Sequence, residues 1–164
     1  MAGKKKKNEK DAAPGRVSIC RNRKARHHYE ILDKLECGLV LQGSEVKSLR
    51  AGKATLDEAF ARIENDEVWL YGADIAEYPQ ANLLNHAPKR RRKLLMKKRE
   101  IEKFAGSADQ SGLTLVPLEL YFQRGFAKVL LAIGRGRKLH DKRDALKKKT
   151  DVREMQQAKL RARG

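Results

Sequence analysis

The chain has 164 residues, 40% of them hydrophobic, which is enough for one ordinary domain with a modest core. Its 38 Lys and Arg stand against 21 Asp and Glu, and the net charge of +17 suits a phosphate backbone better than a small acidic ligand. No apolar run is long enough for a membrane span or a secretory signal, so we expect a cytoplasmic protein. Two cysteines and four scattered histidines give no disulfide framework and no metal-ligand spacing, so we expect no metal and no cofactor.

The positive charge is concentrated in three segments. Residues 1–16 carry six Lys or Arg and two acids, residues 89–103 nine and two, and residues 134–164 twelve and four. The stretches between them are close to neutral and hold nearly all the apolar pattern. Because like charges that bury no apolar surface resist folding, we predict a basic flexible arm (1–21), a folded body (22–134) and a basic C-terminal tail (135–164).

The tail has a composition that favours helix but no sustained apolar stripe. We therefore predict that it is disordered when free and becomes helical when a polyanion neutralises its charge. The alternative is a solvated helix end with no role of its own.

The body is predicted to contain short strands, a short helix, a hairpin, a basic helix and a final hairpin. In chain order these are strands at 29–35 and 39–41, a helix from Ser44 to Gly52, a hairpin of 60–64 with 67–71, a helix between Pro88 and Gly106, and a hairpin of 113–122 with 126–133. We expect a break at Cys37-Gly38, and a bulge or sheet edge at Pro117, which cannot donate to a ladder. Trp69 and Tyr71 are expected on opposite faces of their strand. This order predicts a mostly β protein, a small antiparallel OB-type barrel with short flanking α-helices.

A basic cluster precedes the first predicted strand. Arg23 and Arg26 lie among further cations, and clustered like charges repel unless an anion is near. Phosphates would neutralise them, while His27 and Tyr29 have rings that stack on unpaired bases. The alternative is a plain basic face. We expect Tyr29 to belong to the core and the arginines to contact RNA.

The sequence contains none of the local patterns that carry common catalytic chemistry. There is no GxSxG elbow, no HExxH, no CxxC and no complete phosphate-binding glycine loop. We therefore expect a binding protein and not an enzyme.

Four strings point to one family. They are NRKARHHY at 22–29, LQGSEVKSLRAG at 41–52, RKLL at 92–95 and GRKLHDKR at 136–143. In this order, and over this length and charge profile, the chain resembles the SsrA-binding protein family, also called small protein B. The resemblance covers residues 22–143 and extends in character over the tail.

The resemblance implies a bacterial RNA-binding protein with an OB-type barrel and no catalytic chemistry. Its partners would be the tRNA-like domain of transfer-messenger RNA (tmRNA, the SsrA RNA) and the ribosome, with its ribosomal RNA, decoding centre and messenger channel. Such proteins deliver tmRNA to stalled ribosomes for trans-translation, in which the stalled peptide is tagged and the ribosome released. The barrel would replace the missing anticodon arm, and the tail would probe the empty messenger channel.

The resemblance also implies particular site residues. The RNA-binding set, completed by two arginines of the same strings, is Asn22, Arg23, Arg26, His27, Glu36, Arg92, Lys93 and Leu95. The decoding-centre contacts fall on His140, Asp141, Lys142 and Arg143. Unlike many tails of the family, this one has no aromatic residue.

Two alternatives remain open at this point. Glu36 either accepts hydrogen bonds from base or ribose donors, or bonds only to a neighbouring turn. The whole protein is either specific for tmRNA or a general binder of structured RNA or of the ribosome.

Overall fold

The computed structural model describes residues 15–108 and 112–137. The strands in this part are β1 Arg16–Arg21, β2 Tyr29–Leu39, β3 Ala54–Thr55, β4 Phe60–Glu64, β5 Glu67–Tyr71, β6 Asp74–Ile75, β7 Arg92–Leu95, β8 Leu113–Gln123 and β9 Phe126–Gly136. The helices are α1 Ala25–His28, α2 Gly43–Arg50 and α3 Lys98–Ala108, with a 3₁₀ segment at Pro79–Leu84. The prediction of a mostly β fold with short helices is confirmed. No helix in these ranges is long and apolar enough to cross a membrane.

The strands pair antiparallel around one barrel-like sheet. In the order β8, β4, β5, β7, β2 and β9 each strand pairs with the next, and β9 pairs with β8 as well. β1 extends the sheet along β8, while β3 and β6 form a separate two-stranded sheet. Alternate side chains of these strands point inward, such as Val68 and Leu70 of β5 and Leu131 of β9. Phe104 of α3 enters the same core.

The internal basic segment is not one helix, as predicted, but a strand followed by a helix. In β7, Arg92 and Leu94 are buried while Lys93 is half-buried and Leu95 exposed, which is the two-residue period of a strand. β7 joins β5 to β2 in the sheet, and α3 begins only at Lys98. The pairing of neighbouring strands therefore overrides the helix-favouring composition of this segment.

The predicted break at Cys37-Gly38 is also wrong, because β2 runs through it to Leu39. Gly38 allows Leu95 of the neighbouring strand to pack closely against the β2 backbone. A Cβ atom at this position would lie 3.2 Å from the Cβ of Leu95. Residues 39–41 accordingly form no separate strand.

The sheet extends beyond the predicted body at both ends. β1 pairs with β8 over residues that the sequence assigned to the flexible arm, and β9 continues to Gly136. β1 is short and lies at an edge, and only Ile19 and Cys20 pack on the core, so its apolar signal is weak. The decoding-centre residues proposed at 140–143 lie outside the described residues.

Other local predictions are confirmed or corrected by the backbone. The 60–71 hairpin is confirmed, with φ of +50° at Asn65 and +60° at Asp66. The β8–β9 register shifts just after Pro117, which confirms a bulge there. Trp69 and Tyr71 share one face of β5, because residues two apart in a strand point the same way, so the opposite-face expectation was wrong.

Candidate nucleic-acid interface

The outer surface of β2 carries Glu36 and Gly38, since Cys37 between them points into the core. The strand register places Leu95 of β7 on one side of Gly38 and Lys128 of β9 on the other. These side chains share the outer face of three adjacent strands. We call Glu36, Lys93, Leu95 and Lys128, with Gly38 at their centre, the outer face.

Leu95 is unusual within this face because a large apolar side chain is left 54% exposed. Two residues before it on the same side of β7 is Lys93, which forms an ion pair with Glu67 of β5. Both groups of that pair are partly exposed, so solvent screens their attraction and the pair is weak. Phosphate can therefore compete for the Lys93 ammonium at little cost.

Glu36 is held in a fixed position by two donors. Tyr121 Oη donates one hydrogen bond to its carboxylate, and Lys128 Nζ donates another. Although burial by itself raises the pKa of Glu36, these two hydrogen bonds lower it below the ordinary value for a glutamate. The side chain is 38% exposed, so a charged acceptor faces solvent in this position. The partners are strand residues and not the neighbouring turn that the sequence suggested.

Charged side chains of β1 and β8 form a network that contacts the Tyr121 ring. The Arg16 guanidinium lies 3.7 Å from the centre of the Tyr121 ring and donates to Glu119 Oε2 at 2.6 Å. Arg21 Nε donates to the other oxygen of Glu119 at 3.1 Å. Burial, and then the bond to Glu36, raise the pKa of Tyr121, so its hydroxyl remains a donor at neutral pH.

The helix α1 lies on the outer side of the same sheet, at the start of β2. Its buried Ala25 packs against Leu118 and Ala132, which belong to an apolar cluster outside the barrel core. Tyr29 also packs there, half-buried, so the expectation that it belongs to the core holds only for this outer cluster. Gly134 lets Tyr29 approach, since a Cβ on that glycine would lie 2.9 Å from the Tyr29 Cβ.

Asn22, another residue predicted to contact RNA, is nearly buried and fixes the start of α1. Its Oδ1 accepts from Ala25 N at 2.9 Å and its Nδ2 donates to Leu56 O at 2.8 Å. Its backbone N–H donates to Leu118 O at 2.8 Å, and the residue is 5% exposed. Asn22 thus joins three segments and sets where α1 sits.

The cations predicted around α1 are exposed. Arg23 precedes the helix, and Arg26 and His27 lie within it, all with exposed side chains. From Tyr29 to Glu36 is seven residues, or roughly 23 Å along a strand. The α1 cations and the outer face are therefore two parts of one elongated surface along β2.

A second charged cluster is buried, and Arg92 belongs to it. Glu45 of α2 is fully buried, and it accepts from Arg92 Nε at 2.8 Å and from Arg90 Nη2 at 2.5 Å. Arg92 is itself fully buried, and its Nη atoms donate to the backbone oxygens of Ala73 and Pro88 at 2.6 and 2.8 Å. This cluster fastens α2 to β7 and to the loop between β6 and β7.

Arg92 is predicted to contact RNA, but its position in the buried cluster does not favour that contact. Its donor groups are directed at protein acceptors, and none of the side chain reaches the surface. Burial raises the pKa of Glu45, but hydrogen bonds from Arg90 and Gln42 and the charge of Arg92 bring it below the ordinary value. Glu45 and Arg92 are therefore a charged structural pair, and the sequence signal of a surface arginine was misleading.

Of the predicted residues, the structure brings Glu36, Lys93 and Leu95 together and leaves Arg23, Arg26 and His27 exposed at the other end of β2. Sequence reasoning missed Lys128 and Tyr121, which are cross-strand partners in the β8–β9 hairpin. The available signal was Lys128 itself, the single charge in the otherwise apolar run from Phe126 to Ile133.

Comparison with known proteins adds independent findings. A family model described as SmpB protein matches residues 19–161. An SsrA-binding protein of Rhodopirellula baltica is 51% identical over 157 residues, covering 95% of this chain and 87% of that protein. One of Bartonella henselae is 55% identical over 148 residues, covering 90% of this chain and 94% of that protein.

A solved structure is similar as well. Its chain is 50% identical, with a TM-score of 0.63, and the match covers 73% of this chain and 85% of that one. That structure is described as "tmRNA-SmpB: a journey to the center of the bacterial ribosome". The similarity therefore extends over most of both chains.

Proposed function

The chain belongs to the SmpB protein family, and from this we propose that it binds the tRNA-like domain of tmRNA and brings it to stalled bacterial ribosomes for trans-translation. Its relatives are SsrA-binding proteins, and the similar solved structure concerns tmRNA-SmpB in the ribosome. This function takes place in the cytoplasm, where bacterial ribosomes work. The observation that carries the proposal is the elongated surface formed by α1 and the outer face.

The cations of this surface supply affinity. Arg23 and Arg26 are exposed at α1, and Lys93 and Lys128 lie at the other end of β2. Each cation that meets a phosphate releases counterions, a contribution that does not depend on base sequence. Two groups of cations at opposite ends of β2 suit a folded RNA with phosphates on both sides of a bend.

Glu36 supplies specificity. A carboxylate repels phosphate, so it gains nothing from a backbone contact but accepts strongly from base amino groups and ribose hydroxyls. Tyr121 and Lys128 hold it in one orientation, which limits the RNA geometries that satisfy it. The neighbouring Leu95 offers an apolar surface on which a base or sugar packs.

Binding and positioning account for the whole proposed role, and no catalytic step is needed. The barrel holds the tRNA-like domain in place of an anticodon arm. The basic tail, with His140 and Arg143 near its start, enters the empty messenger channel and contacts the decoding centre. This part of the proposal rests on family membership and on charge, since these residues lie outside the described ranges.

The proposal is tested by measuring affinity for the tRNA-like domain and for an elongator tRNA over a salt series. We expect the full chain to prefer the tRNA-like domain at physiological salt. A variant ending at Arg137 retains every described strand and should keep that preference. The same variant should fail to support peptide tagging on stalled ribosomes.

A general RNA binder gives a different result. Both RNAs would then bind alike, with the same salt dependence, and removal of the tail would take away most of the affinity. That outcome would favour the second candidate, a ribosome-associated binder without tmRNA specificity.

A further inference from the structure

The loop between β6 and β7 has the two most exposed large apolar side chains of the described residues. Leu83 is fully exposed and Leu84 is 86% exposed. Single exposed leucines are ordinary on protein surfaces, but two adjacent ones at the tip of one loop form a small apolar knob. Neither side chain belongs to the core or to the outer apolar cluster.

The loop is held in shape at its base. Asn85 Nδ2 donates to Tyr78 O at 2.9 Å, and Tyr78 N donates back to Asn85 Oδ1 at 3.0 Å. Lys47 of α2 lies 5.4 Å from the centre of the Tyr78 ring, and Ser48 Oγ donates to Ala76 O at 2.5 Å. These bonds close the loop into a short Ω-like projection and fasten it to α2.

The tip is bent by an uncommon backbone conformation. Asn82, immediately before the two leucines, has φ of +45° and ψ of −121°. Such a conformation costs free energy and persists only where surrounding structure enforces it, often at binding sites. In this loop the bend at Asn82 immediately precedes Leu83 and Leu84, and both side chains are exposed to solvent.

The charge of the loop differs from that of the whole chain. Residues 74–88 contain two acids, Asp74 and Glu77, and no Lys or Arg, in a protein of net charge +17. Within residues 74–88 a phosphate backbone would meet two carboxylates and no Lys or Arg side chain. An apolar cleft with a basic rim on a protein is complementary in both respects.

We propose that Leu83 and Leu84 form a docking knob that inserts into an apolar, basic-rimmed cleft on a protein of the ribosome. The inference rests on the proposed function, because it assumes that the chain works on the ribosome. It adds a protein contact, separate from the RNA-binding surface, that orients the barrel once tmRNA has been delivered.

The first test replaces both leucines, as L83S with L84S, in the full chain. Both are exposed, so the fold should be unchanged, and affinity for the tRNA-like domain should equal that of the wild type. Association of the protein–tmRNA complex with purified stalled ribosomes should fall about tenfold or more, as expected for losing two buried leucines. The matched control is Phe126→Ser in the β8–β9 turn, also an exposed apolar residue, which should change neither quantity.

The second test identifies the chemistry of the partner. A photoreactive benzoylphenylalanine replaces Leu83, or Phe126 as control, and the complex is irradiated on purified stalled ribosomes. We expect a cross-link at position 83 to one ribosomal protein that survives ribonuclease treatment, and none to that protein from position 126. A cross-link to RNA, or no cross-link while the chain sediments with tmRNA and ribosomes, would overturn the docking knob alone. If the chain binds tmRNA but never sediments with ribosomes, the proposed function fails and the knob with it.

Discussion

Two adjacent parts of one basic segment use their charges in opposite ways. Arg90 and Arg92 turn toward Glu45 and join α2 to the sheet. Lys93, the next residue, points outward and pairs only with the partly exposed Glu67. The difference follows from the alternation of β7, which sends successive side chains to opposite sides. The arginines and lysines of this segment are therefore divided between the interior and the surface, and they do not form one continuous surface patch.

Neutralising the buried carboxylate of Glu45 should greatly reduce the stability of the fold. Glu45→Gln leaves Arg92 charged in the interior without its counterion, so we expect a loss of about 3–5 kcal/mol in the free energy of unfolding. Urea denaturation measures this loss. The matched control is Glu67→Gln, where the pair is partly exposed and the change should be about 0–1 kcal/mol. Equal effects of the two substitutions would contradict the inward and outward assignment.

The stability difference between wild type and Glu45→Gln should depend on pH. The pKa of Glu45 is lower in the folded state than its ordinary value of about 4.3. Its contribution to stability is therefore fully present above that ordinary value and is lost as pH falls through the folded pKa. The stability difference between wild type and Glu45→Gln should be constant from about pH 8 to pH 6 and shrink in acid. A difference that grows in acid would contradict the charged pair.

On the outward side, Arg26→Ala should weaken binding of the tRNA-like domain about tenfold, because a charge-assisted phosphate contact is lost. The slope of log K against log salt should become less steep by about 0.7 to 0.9. The control is Lys53→Ala, an exposed cation in the loop after α2, which should leave affinity and slope unchanged. If the salt slope of Arg26→Ala were unchanged, α1 would not be part of the RNA interface.

A smaller effect is expected from Tyr121→Phe. The ring and its contact with Arg16 remain, but Glu36 loses one donor, worth about 1 kcal/mol. Preference for the tRNA-like domain over elongator tRNA should fall a few-fold, with little change in stability. In a double-mutant cycle with Glu36→Gln the two effects should not add, because Tyr121 acts through Glu36. Full additivity would show that Tyr121 does not position the carboxylate.

Features set by neighbours along the chain could be predicted from the sequence. The 60–71 hairpin depends on Asn65 and Asp66, which tolerate positive φ at its turn, and the β8–β9 hairpin on the turn at Gly125. The helix predicted from Ser44 to Gly52 is present as α2, with Gln42 at its N-cap. These elements need only local information.

Features that depend on residues far away in the sequence could not be predicted. Arg92 meets Glu45 across 47 positions, and no local pattern tells a buried arginine from an exposed one. β7 becomes a strand because β5 and β2 lie on either side of it, against a composition that favours helix. The role of Lys128 depends on the register that sets it opposite Gly38. Part of the candidate site could therefore be named from family resemblance, but its geometry required the fold.

We expect the outward-facing side chains of β7 to meet RNA and the inward-facing ones to remain in the core. Leu94 and Leu95 are adjacent, with 1% and 54% of their surface exposed, so their methyl groups are matched probes. We would follow both by methyl NMR while adding the tRNA-like domain, with elongator tRNA as the control RNA. We expect the Leu95 methyl signals to shift strongly with the tRNA-like domain and less with elongator tRNA, and those of Leu94 to stay nearly constant. An unchanged Leu95 signal in a protein that has bound the tRNA-like domain would contradict this expectation.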